Sequence, residues 1–101
     1  MERNELIREF VMDAIADDYE DLSMIVREVS AWASERSVSV ADSQIKKALL
    51  DLIGDGLAAA YRLSSRRPAR KIRGRPESGT LDKCHFLLTE EGQAKLVKDK
   101  E

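Results

Sequence analysis

Two runs of this chain read as β-strands, residues 57–63 and 83–88, and both come after three amphipathic helical segments. A two-stranded hairpin does not hold together alone in water, so it has to lie against the helices. That requirement leaves little freedom. The expected architecture is mainly α with a small antiparallel β-hairpin, an α+β chain of three core helices, a hairpin and a short closing helix. Its 101 residues suit one domain with one core, spanning 1–101.

The helices are read from their spacing. In residues 2–16 the apolar positions Leu6, Ile7, Phe10, Val11, Ala14 and Ile15 recur at three and four, with Glu2, Glu5, Glu9 and Asp13 on the other face. The acidic break 17–21 then favours a turn or a helix start. A second helix is expected over 22–34, with Leu22, Ile25, Val26, Val29, Trp32 and Ala33 as its buried stripe. Residues 37–39 read as a connector able to form one β-bridge. Ser39 with Asp42 three residues on fits a capping box, which predicts a third helix over 40–53. Ala41, Ile45, Ala48, Leu49 and Leu52 share its inner face. Leu50 falls off that face and is expected under the following strand or against a partner. Gly54 and Gly56 supply a glycine stop.

The alanines at 58–60 have weak strand propensity, but the glycines before them argue against a continued helix. Residues 64–82 hold both prolines, two glycines and most of the arginines, and are expected to form a long, mobile basic loop. Thr89 is placed as the cap of the last helix, with Glu90 and Glu91 at its start and lysines toward its end, as the helix dipole favours.

Charge is unevenly distributed. Residues 57–76 hold seven bases, Arg62, Arg66, Arg67, Arg70, Lys71, Arg73 and Arg75, and no acid. With +7 there and −2 overall, the remainder of the chain carries −9. Such an arm on an acidic protein suits a polyanion, and a nucleic-acid backbone is the first candidate. Residues 1–21 hold eight acids and two bases, a face that suits a basic partner or solvent rather than DNA.

Other classes find little support. No apolar run reaches the roughly 20 residues of a membrane span, and the charged N-terminus has no apolar stretch of a secretory signal behind it, so a cytoplasmic location is expected. Cys84 is the only cysteine and His85 the only histidine. One such pair supplies too few ligands for a zinc site. As neighbours in a strand they would point to opposite faces, so they are read as ordinary strand residues rather than nucleophile and base. No cofactor, small-molecule ligand or catalytic activity is expected.

Three segments in this order carry a resemblance. Ala48-Leu49-Leu50-Asp51-Leu52-Ile53-Gly54-Asp55-Gly56-Leu57 is similar to the end of a recognition helix and the start of a wing. Gly74-Arg75-Pro76 resembles the GRP of PadR-like wings, and Leu88-Thr89-Glu90-Glu91-Gly92 the L-T-x-x-G that closes them. The chain therefore resembles the winged helix-turn-helix transcription regulators, most closely their PadR-like and MarR-like branches. The resemblance implies a single winged-helix domain that binds double-stranded DNA as a regulator, associated with the nucleoid. A homodimer is one arrangement it allows.

Under that reading the helix 40–53 lies in the major groove and presents Ser43, Lys46 and Lys47, with Gln44 on the flank. Gln can pair with adenine and Lys can donate to guanine. Asp42 and Asp51 would repel phosphate if they faced it. The arm, Arg62, Arg66, Arg67, Arg70, Lys71, Arg73, Gly74 and Arg75, has two open roles. Arg73-Gly74-Arg75-Pro76 matches the core of an AT-hook, which lies extended in a narrow minor groove with its arginines inserted. Alternatively the arm contacts phosphates loosely. A protein-interaction or scaffold module, with the arm meeting an acidic partner, is the competing function, because fold does not fix function. RNA binding is weaker, since no exposed aromatic platform for single-stranded bases is visible.

Overall fold

The computed structural model describes residues 3–64, 67–72, 74, 76 and 78–99. Four helices and four strands follow in the order α1 (Arg3–Ala14), β1 (Glu20–Asp21), α2 (Leu22–Glu35), α3 (Asp42–Gly54), β2 (Ala58–Ser64), β3 (Arg67–Lys71), β4 (His85–Leu88) and α4 (Glu90–Asp99), with a 3-10 helix, Ser78–Lys83, before β4. The expected helical core with its small antiparallel sheet is present.

The helices form where the apolar spacing puts them. Ile7, Val11 and Ile15 from α1 and its C-terminal end, Ile25 and Val29 from α2, and Ile45, Leu49 and Leu52 from α3 are all shut off from solvent, and Phe86 of β4 fills the sheet side. Each such side chain contributes about 1.5–3 kcal/mol by leaving water. Met12, Leu81 and Leu96 join them off the expected stripes. Trp32 packs its ring 6.0 Å from Phe10, as a core residue.

The caps differ from the expectation at α3. Asp21 caps α2 by accepting the Met24 N–H at 2.8 Å. Ser39 does not open α3. The N-cap is Ala41, exposed rather than on the inner face, and the Gln44 side chain reaches back to accept the Ala41 N–H at 2.8 Å. Both α2 and α3 end in Schellman motifs. At α3 the Leu57 N–H returns to the Leu52 carbonyl and the Gly56 N–H to Ile53, with Gly56 at φ +78°. At α2 the Val38 N–H returns to Ala33 and the Ser37 N–H to Ser34, with Ser37, not a glycine, at φ +57°.

The strands bring two corrections. The segment 37–39 forms no bridge. The short extra strand is instead Glu20–Asp21, pairing with Phe86 and His85. The stretch 64–82 is not one long loop: Arg67–Lys71 is a strand antiparallel to β2, and Ser78–Lys83 is helical. Backbone hydrogen bonding to β2 makes a strand of a sequence with no apolar alternation. The sheet runs β1-β4-β2-β3, all antiparallel, with Ala58, Ala60, Phe86 and Leu88 buried in the core.

Candidate nucleic-acid interface

The connector 36–41 turns the chain from α2 into α3, and α3 leads through Gly56 straight into β2. Ile45, Ala48, Leu49 and Leu52 hold the inner face of α3 against the core. Helical spacing then turns Ser43 and Lys47 outward, and both are exposed. Lys46 is half-buried. Leu50 is also half-buried and packs against the core. Gln44 is half-buried, and its Oε1 is already engaged by the Ala41 N–H. A bidentate pair with adenine needs that oxygen, so reading adenine costs Gln44 its role in the cap. Asp42 is exposed in the first turn of α3 and opposes the positive end of the dipole.

In the hairpin, Arg62 and Arg70 face each other directly across the two strands, and both are exposed, as is Lys71. Arg67 stands opposite Ser64. Arg66, Arg73 and Arg75 lie outside the described residues. Gly74 has φ +70° and Pro76 is buried. Gly74 borders a groove with Gly54, Gly56 and Thr89, at the foot of the hairpin.

The foot of the hairpin is tied tightly to the last helix. The Thr89 hydroxyl accepts the Gly92 N–H at 3.0 Å, as a helix cap should, and donates to the Gly56 carbonyl at 2.7 Å. The Thr89 N–H meets the Leu57 carbonyl at 3.1 Å. A Cβ on Gly92 would fall 2.0 Å from that same Leu57 oxygen, which gives the L-T-x-x-G segment its physical basis.

The Cys84 thiol is buried and 3.4 Å from the Thr80 carbonyl. Burial pushes its pKa up, against the pull of Arg62, so it is a poor nucleophile at neutral pH. It precedes β4 rather than forming part of it. The register pairs His85 with Tyr61 and Asp21. No group of three or more His, Cys, Asp or Glu able to hold a metal occurs among the described residues. No helix in the described residues is long and apolar enough to cross a membrane.

Three packed helices in which α2 and α3 form a helix-turn-helix, followed by an antiparallel hairpin, define a winged helix-turn-helix fold. An X-ray structure of a PadR-like transcription factor from Bacteroides fragilis is similar to this chain with a TM-score of 0.62 and 18% sequence identity, over 97% of this chain and 80% of that one. This likeness establishes the fold. No protein-family model and no curated protein matches the chain.

Proposed function

We propose that this protein is a DNA-binding module that acts as a transcription regulator. In this reading α3 enters the major groove with Ser43, Lys46 and Lys47 toward base edges, and Gln44 contributes after giving up its cap. The stretch 64–82 serves as the wing, with its cations against phosphates or the neighbouring minor groove. The observation that carries the reading is the segregation of charge on a winged-helix frame: seven bases in residues 57–76 and −9 elsewhere. A homodimer would set two α3 helices on half-sites about 34 Å apart.

The test is fluorescence anisotropy on A·T-rich and random duplexes over a salt series. If about five cations contact phosphates, the slope of log K against log salt should be roughly −4.5. Lys47→Ala should weaken binding and reduce sequence preference. Arg66→Gln with Arg67→Gln should weaken all sequences alike and flatten the slope. The pair Arg73→Ala and Arg75→Ala separates the two roles of the arm, because only minor-groove insertion predicts loss of an A·T preference. Absence of binding at low salt overturns the proposal in favour of a protein-interaction module.

A further inference from the structure

Arg62 and Arg70 are directly opposed across β2 and β3. Like charges in this position repel each other and destabilise a hairpin. Alternation along β2 puts Arg62 on the same side as Ala58 and Ala60, toward the core rather than away from it. The two arginines consequently overhang a cleft between the hairpin and the 3-10 helix. Lys71 and Lys83 line the same cleft, and buried Pro76 and Cys84 form part of its apolar wall. Arg62 is close enough to Cys84 to act on the thiol electrostatically. Asp82 also acts on Cys84 but does not line the cleft. Among the described residues no carboxylate lines it, and none of the four cations has an ion-pair partner.

We propose that this cleft is a discrete phosphate-binding site, in which the Arg62 and Arg70 guanidinium groups clamp one phosphate group and Lys83 completes the charge balance, while Lys71, paired with Tyr61, turns its side chain to the other face of the hairpin. Two planar forks converging on one oxyanion give directional hydrogen bonds, which a diffuse basic surface lacks. The bound anion also removes the cross-strand repulsion, so binding and hairpin stability are coupled. The phosphate has two sources. It belongs either to the backbone of a bound duplex, a case that rests on the DNA reading, or to a free phosphorylated molecule, a case that does not.

The experiment uses the full chain and inorganic pyrophosphate as the probe, with sodium chloride at matched ionic strength as the reference. Pyrophosphate should raise Tm saturably beyond the salt reference. Arg62→Gln with Arg70→Gln should abolish that rise while leaving the unliganded Tm unchanged or higher. Arg66→Gln with Arg67→Gln, which removes the same charge from the same arm, should keep it. Duplex titrations then separate the sources. If the R62Q/R70Q protein loses at least tenfold in duplex affinity and pyrophosphate competes with DNA, the phosphate is the backbone's. If duplex affinity is unchanged, it is a free molecule's. A chain that binds no duplex yet keeps the pyrophosphate response sinks the DNA reading and leaves the site standing. A Tm rise no larger than that in sodium chloride, or one that survives in R62Q/R70Q, overturns the site.

Discussion

The Thr89 hydroxyl donates to the Gly56 carbonyl across 2.7 Å, so one side chain both caps α4 and holds the turn that leaves α3. Removing it strands an N–H at one end and a carbonyl at the other. Thr89→Ala should cost about 1–2 kcal/mol in urea unfolding. Thr89→Ser, which keeps the hydroxyl, should cost less than half as much.

Gly92 and Gly54 make opposite cases. A side chain at 92 meets the Leu57 carbonyl oxygen and the Leu88 side chain at distances no real Cβ adopts, and the backbone oxygen cannot swing away. Gly92→Ala should destabilise by at least about 2 kcal/mol. At Gly54, the last residue of α3, a Cβ meets nothing within 4 Å. Gly54→Ala should stabilise by roughly 0.5–1 kcal/mol, because alanine restricts the unfolded chain. Equal effects at the two positions would contradict the packing described.

Ser37 occupies the left-handed position of a Schellman motif at φ +57°, where an L side chain crowds its own carbonyl. Ser37→Gly should raise stability by about 0.5–1 kcal/mol. Ser37→Val should lower it, since a β-branched side chain tolerates that region worst. Thermal unfolding of the pair gives the sign directly.

Glu20 has a pKa above the ordinary carboxylate value because of burial first, then the nearby Glu28, Asp18 and Asp21, against a smaller pull from His85. A carboxyl that binds its proton more tightly when folded weakens the native state once it ionises. Glu20→Gln should therefore be more stable than the parent at neutral pH. The gap should shrink as pH falls through the folded-state value, and vanish below the ordinary value of 4.5. A gap that stays constant between pH 7 and pH 4 would show that charge is not its cause.

What the sequence made legible was whatever repeats within a few residues. The inner faces of α1, α2 and α3 follow from three-four spacing, and Ile45, Ala48, Leu49 and Leu52 are buried as that spacing requires. The turn at Gly56 and the cap at Thr89 were readable because each depends on a residue type with one strong local preference. β3 was not. Arg67-Pro68-Ala69-Arg70-Lys71 has no apolar face, and it is a strand only because β2 offers it unpaired backbone groups. Glu20–Asp21 is likewise held by β4, more than sixty residues away in sequence. The start of α3 was placed early, since Ser39 looks a better cap than Ala41 until Gln44 is seen to supply the missing oxygen. At the candidate interface the residue types were visible from the start. Their geometry was not, because the opposition of Arg62 and Arg70 depends on a register that only the paired strands define.

The strand order β1-β4-β2-β3 carries a further consequence for how the protein is made. β4 lies between β1 and β2, so the strand that anchors the hairpin to the body is the last one synthesised. Helices α1, α2 and α3 can collapse on one another while the chain is still growing. The arginine-bearing hairpin stays untethered on its inner side until Phe86 and Leu88 have left the ribosome and slotted in beside Ala60 and Ala58. Pairings this distant in sequence form slowly. The newborn protein thus has a helical body well before its basic arm is fixed in place, and whatever the arm grips has to wait for β4.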